Sequence, residues 1–467
     1  MKIVPLYEHA KSMKNKFPRF IFLLLLFLVS SCAKDDSITP VEIETNSDVI
    51  IINQNSQVEV FIFQNDFNIP NQGQLSITSA TKGIAIIKDN GTNTIISDDY
   101  IEYTPTPNVI GQDTFQYTIC DSASPANCKT ETITINISSL SVVNYVSENI
   151  PYQNLSDYNF FQGNLKDLTP TFGVTPYDLI SPLFSDYAHK KRFIWMPNGV
   201  QATYESDYST LNFPSGTMII KNFFYENVLP ENQTRILETR IMYKTAGGWN
   251  FAEYVWNAEQ TEATLDNQGS FVNLSWMEGA ETKTVNYRIP SMSECFTCHN
   301  KFGTPLPIGP KPQNLNRTYS YADGDSNQLN KLIQIGYLSS DLPLNIDTTV
   351  PWDDESQPLD LRVRSYLDIN CAHCHSDESY CEYRSMRFAY EENGADENMG
   401  ICITPDTQFI PDAKIVTPSD KELSILHYRI NTAEEQLRMP LLGRTLIHEE
   451  GARLVEEWIN SLTDNCN

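Results

Sequence analysis

Between residues 47 and 139, apolar and polar positions alternate in short runs separated by turn residues, the period-two signature of half-buried β-strands. The pattern predicts strands at 58–63, 83–87, 100–103, 114–119 and 130–137. Asn90-Gly91 marks a tight hairpin turn, since both residues tolerate positive φ. Alternation continues from 141, where 192–196, 216–221, 236–243 and 249–256 read as strands. Over 314–338 the period turns helical, with Leu329, Leu332, Ile333 and Ile335 grouped, and 351–358 is an acidic linker bearing proline. Beyond it Leu359, Val363, Tyr366 and Leu367 fall at helical spacing. Leu454, Val455, Trp458, Ile459 and Leu462 form one apolar stripe opposite Glu456 and Glu457. The 467 residues therefore read as multidomain, with an all-β domain over 47–139, a β-rich domain over 141–350 and an all-α domain over 355–467.

The first residues follow another pattern. Lys11, Lys14, Lys16 and Arg19 precede an apolar run, 21–29, that is too short to span a bilayer, and Ser30-Ser31-Cys32 follows it. This arrangement resembles the lipobox of bacterial lipoproteins. The resemblance implies a signal peptide over 1–31, lipidation at Cys32 and a tether over 32–46. Ala33 is not the Asp that retains lipoproteins in the inner membrane, and Cys32-Ala33-Lys34-Asp35-Asp36 is similar to the export tag of Bacteroidota surface lipoproteins. The implied location is the outer membrane, with the cell surface favoured over the periplasmic side and the lipid as the one membrane contact. The formal charge is −26, and residues 1–31, with five Lys or Arg and one Glu, leave −30 when removed. So acidic a chain excludes nucleic acid as a partner and favours basic ones.

Two short strings carry the chemistry: Cys295-Phe-Thr-Cys298-His299 and Cys371-Ala-His-Cys374-His375. Each reads C-x-x-C-H, the attachment site of a c-type haem. Cysteines three apart share a helical face, so both thiols reach the vinyl groups of one porphyrin. The histidine that follows serves as proximal iron ligand. With 10 Cys and 7 His in the chain, one such pentapeptide arises by chance in about one of a few hundred chains of this composition. Two covalently bound haem c groups are therefore expected. A zinc site built from Cys295, Cys298, Cys371 and Cys374 is the weaker alternative, because each pair is followed at once by histidine and the chain reads as exported.

Several resemblances follow from residues already named. Asn65-Asp66, Gly83-Ile-Ala, Asn90-Gly91-Thr92, Tyr103-Thr-Pro105 and the stretch 111–117 resemble cadherin-like and bacterial Ig-like domains, which implies a β-sandwich spacer or adhesive module over 47–139. Some of those relatives bind calcium, and Asp66, Asp113 and Asp121 are the acids available for it. The segment 213–221 followed by Gly247-Gly-Trp249 is loosely similar to lysine-crosslinked bacterial cytochromes, with no crosslink transferred onto Lys221. A helix ending in C-x-x-C-H, then Arg438-Met439-Pro440, then a packed terminal helix resembles class I cytochrome c. That likeness implies His375 as proximal and Met439 as distal ligand, with Met386 and Met399 in reserve. His373, at an x position, reads as a bystander. The region 145–462, with Ile289-Pro-Ser291 before the first motif and Gln313-Asn-Leu315-Asn316 after it, resembles secreted dihaem c-type cytochromes.

The first motif has no comparable partner. Its distal candidates are His189, Met196, Met242, Met277 or none. Cys120 and Cys128 flank a turn and are expected to pair in an oxidising compartment. Cys381 and Cys402 are the expected second pair, with Cys466 leaving that connectivity open. The functional expectation is a lipid-anchored electron carrier acting on redox partner proteins. The alternative is a haem oxidoreductase whose open first haem acts on a small molecule.

Overall fold

The computed structural model describes residues 42–54, 56–106, 109–122, 127–138, 141–463 and 466. Cys32 and the expected signal peptide lie outside the described residues. The N-terminal sandwich has one sheet in the order Asp48–Asn53, Cys128–Ser138, Gly111–Asp121, Gly73–Ile77. The facing sheet runs Val58–Val60, Tyr100–Pro105, Gly83–Lys88. Inward residues of both sheets, among them Ile101, Tyr103, Phe115, Tyr117, Ile133 and Ile135, make the core. The tether expected to reach residue 46 ends earlier: Ile43 is buried and Glu44 pairs with Phe67, a contact hidden by the polar composition around them.

Asp113 joins the two sheets. Its carboxylate accepts from Thr81 N (3.0 Å), Thr81 Oγ1 (2.7 Å), Lys82 N (2.8 Å), Thr114 N (3.0 Å) and the buried Tyr103 hydroxyl (2.7 Å). Asp66 likewise accepts from Asn46 N and Tyr117 Oη. Two of the three acids named as calcium candidates thus hold the sandwich together as acceptors. Burial pushes the Asp113 carboxyl up, but the bonds from Thr81, Tyr103 and Lys82 outweigh it and keep it below its ordinary range. A depressed carboxyl stabilises the fold above its unfolded pKa of about 4 and loses that contribution as pH falls through the folded value. Asp113→Ala should cost about 3 kcal/mol, since several donors lose their acceptor. Urea unfolding of the full chain, followed at the sandwich transition, checks this.

The central sheet runs in the antiparallel order Thr175–Tyr177, His189–Trp195, Met218–Val228, Gln233–Thr245, Gly248–Trp256, Ala263–Leu265. The hairpin Ser270–Glu278/Glu281–Ile289 joins it where Val228 meets Trp276. Both faces are covered. Phe193, Trp195, Met218 and Ile220 pack with Tyr158 and Phe160 on one side. Ile194, Ile219, Met242 and Trp249 pack with Leu315, Leu329, Leu332 and Ile369 on the other. The helical run expected over 314–338 is broken: Pro312–Leu315 and Gln328–Gln334 are helices, and a hairpin, Thr318–Tyr321/Gly324–Asn327, separates them at the Asp323-Gly324 turn.

The C-terminal segment corrects the fold expectation most clearly. Residues 355–467 do not form an all-α domain. Of the described residues 34% are strand and 16% helix, so β-structure dominates and this segment contributes only small helices. Leu359–Leu367 and Glu449–Ser461 form where the apolar spacing placed them. Between them Asp396–Met399 and Ile425–Ile430 are single short turns of helix. Pro405, Pro411, Pro418 and Pro440 forbid longer ones. The remaining turns and loops still close one core, in which Val363, Tyr366, Leu367, Leu454, Val455 and Trp458 meet.

Candidate functional site

Cys295 and Cys298 lie on the short helix Met292–Cys298. Ser291 and Glu294 form a capping box, with Ser291 N donating to Glu294 Oε2 at 2.9 Å, and Arg288 holds the same glutamate. His299 closes the helix. Its Nδ1 lies 2.9 Å from Leu306 O, which fixes Nδ1 as the protonated nitrogen and leaves Nε2 for a ligand. Burial pushes His299 down to about 4, so the imidazole is neutral. The motif opens on a cavity of about 1200 Å³, mouth included, floored by the central sheet. Ile219, Met242 and Phe251 give that floor an apolar half.

The second motif follows Leu359–Leu367 through a wide turn, Asp368–Ala372. His375 N returns to Cys371 O at 2.9 Å. Asp368 ties this turn to the first motif's downstream loop, accepting from Gln313 Nε2 (3.0 Å) and Lys311 Nζ (3.3 Å). The cavity here measures about 1280 Å³, mouth included, and is lined by His375, Phe388, Ile415, Leu426, Ile430 and Met439. Burial holds His375 down to about 4, and its Nδ1 has no protein partner among the described residues.

Met439 and His375 thus line the same cavity, as the class I resemblance implies. Arg444, which the sequence reading missed, holds the methionine loop. Its guanidinium is buried and donates to the carbonyls of Met439, Leu446, Arg429 and Thr432 at 2.9–3.0 Å. A lone arginine beyond a Met-Pro pair carries no such signal in sequence. Of the reserves, Met386 also lines this cavity, whereas Met399 is core. For the first motif, Met242 is the distal candidate inside the cavity. His189 stacks on Phe224, Met196 is in the core and Met277 lies on the outer hairpin.

The two cavities meet. Cys298 and His373 line both, and the Sγ atoms of Cys298 and Cys374 lie with a His373 ring nitrogen within 4.8 Å of one another. His373, expected as a bystander, sits in that seam. Hydrogen bonding to Cys374 and His373 holds the Cys298 thiol low, and the same contact pushes Cys374 up. Cys295 and Cys371, excluded from the seam, are raised by burial to about 11 and about 12.

The residues fit a haem at each motif. Four unbridged thiols, two neutral imidazoles and two largely apolar cavities suit a flat apolar ring attached at its edge and bound axially by nitrogen. Cys120 and Cys128 are bonded across adjacent strands, as expected. The second expected pair is corrected. Cys402 bonds Cys466, with Cα atoms 5.1 Å apart, while Cys381 is a buried free thiol whose backbone pairs with Cys374 O. The terminal helix returns the chain end to Cys402, a proximity that sequence distance conceals.

The bacterial Ig domain family matches residues 37–137, so the N-terminal sandwich is a bacterial Ig-like domain. Among solved structures, the chain is similar to protocadherin gamma B7 cadherin domains 1–4, at 10% identity and TM-score 0.16, covering 53% of this chain and 76% of that one. It is similar also to the teleost fish polymeric Ig receptor ectodomain (7%, TM-score 0.16, 52% and 96% covered). The human desmocollin-1 ectodomain gives 11%, TM-score 0.16, and 54% and 60% covered. No curated protein matches the chain.

Proposed function

We propose that the chain is a dihaem c-type cytochrome, anchored by a lipid on Cys32 at the outer membrane or cell surface, that exchanges electrons with partner proteins. The observation that carries this reading is the meeting of two C-x-x-C-H motifs, each lining its own cavity, at Cys298, His373 and Cys374. A bound haem supplies a one-electron iron couple. Each thiol pair would hold its haem covalently, and His299 through Nε2 and His375 through a ring nitrogen would bind the iron. Met439, whose loop Arg444 holds, would be a further ligand at the second motif. The seam brings the two attachment points into contact. The bacterial Ig-like domain serves as the spacer between the anchor and this redox unit.

A second reading is favoured by one feature. The first cavity has a floor half made of Arg192, Lys221, Arg240 and Glu253, in one row on the central sheet. Such a floor suits a haem oxidoreductase acting on a small molecule. Redox titration of the purified protein with carbon monoxide added to the ferrous state separates the two readings. Electron transfer expects two reversible couples and ferrous bands unmoved by the gas. Stoichiometric carbon monoxide binding at one haem gives the oxidoreductase, and a protein without haem bands contradicts both.

A further inference from the structure

The register of the central sheet sets five polar residues in one row. Tyr177 faces Arg192, Arg192 faces Lys221, Lys221 faces Arg240, and Arg240 faces Glu253. All five line the first cavity. Three cations directly opposite one another on adjacent strands repel, and a sheet bears such a row only with compensation. Part of the compensation is visible. Arg240 is held by the buried Glu238, and Arg192 donates its Nη1 to Asp178 at 2.6 Å. The rest is missing. Arg192 is 5% exposed and its Nη2 has no partner among the described residues. Lys221 has no carboxylate within ion-pair distance among them, and its Nζ lies only over the Phe223 ring, 4.7 Å from the centroid. Glu253 does not fill the gap: its Oε2 lies against Arg240 Nε, at 3.4 Å, and burial with the neighbouring Glu238 pushes its carboxyl well above the ordinary range.

We propose that Arg192 and Lys221 seat an anionic oxygen group, a carboxylate or a small oxyanion, on the sheet floor of the cavity that His299 lines. A guanidinium edge and an ammonium side by side match two oxygens of one such group, and the buried setting strengthens both bonds. Burial and the flanking guanidinium groups push the Lys221 ammonium well below its usual range, and an anion above it reverses that. Two sources supply the same chemistry: a propionate of the haem attached at Cys295 and Cys298, or a free small oxyanion. The propionate source rests on the haem reading above; the free anion does not.

Thermal unfolding of the purified full chain, with nitrite and separately acetate added, tests the seat. A saturable rise in Tm that disappears in Lys221→Met assigns it to a free anion. With no rise in the wild type, the propionate source requires Lys221→Met to lower one of the two haem potentials at unchanged haem content, because removing a cation favours ferric iron. Arg192→Gln repeats whichever pattern holds and guards against a folding defect peculiar to position 221. Wild type and both variants alike in Tm response and in potentials overturn the seat. A chain purified without iron ends the haem reading alone, and the anion-dependent Tm then decides the seat by itself.

Discussion

Replacing Cys371 and Cys374 together by alanine halves the covalent haem carried by each chain. A denaturing gel stained for haem, normalised to protein, reads this directly, because only thioether-linked haem survives denaturation. The same pair of substitutions at Cys295 and Cys298 gives the same halving, and the four-cysteine variant gives none. The halving follows from the separateness of the two cavities: each has its own thiol pair and its own histidine. The seam makes a sharper demand. Cys298 and Cys374 are neighbours, so disturbing one motif should shift the absorption of the haem that remains. A variant retaining full stain would mean that the deleted motif carries no haem.

Met439→Ala lowers the potential of one haem couple and leaves the other in place. A thioether is a soft ligand that favours ferrous iron, so its loss favours the ferric state. The expected fall is on the order of 100 mV, a fraction of the roughly 0.8 V over which axial ligands set haem potentials. Arg444→Ala should move the same couple in the same direction by less, since Arg444 acts on the methionine by holding its loop. Spectroelectrochemical titration of each variant against wild type makes the measurement. An unmoved couple in Met439→Ala would transfer the role to Met386, the other thioether in that cavity.

The candidate motifs were more legible than the architecture. C-x-x-C-H is local, so both motifs stand out in the sequence whatever surrounds them. The first motif's helix has its own signal in Ser291 and Glu294, three residues apart ahead of the cysteines. The all-α expectation for the C-terminal segment failed. Two helices with true apolar stripes bracket the middle of a 113-residue segment that prolines and turns govern. Strands of the central sheet could be read from alternation, but alternation does not fix register. The row Arg192–Lys221–Arg240 exists only once the strands are aligned, and so the charged floor of the first cavity was invisible. His373 and Cys466 could not be placed for the same lack of long-range geometry: one sits in the seam, the other closes a loop onto Cys402.

The most direct measurement is the haem and metal content of the protein purified from an oxidising compartment with haem attachment machinery. The pyridine haemochrome spectrum gives haem per chain, and elemental analysis gives iron and zinc. Two haem irons per chain, resistant to denaturation and without zinc, is the expected result. Zinc held without haem would contradict it, and would make Cys298, His373 and Cys374 the ligands of a metal site where the two motifs meet.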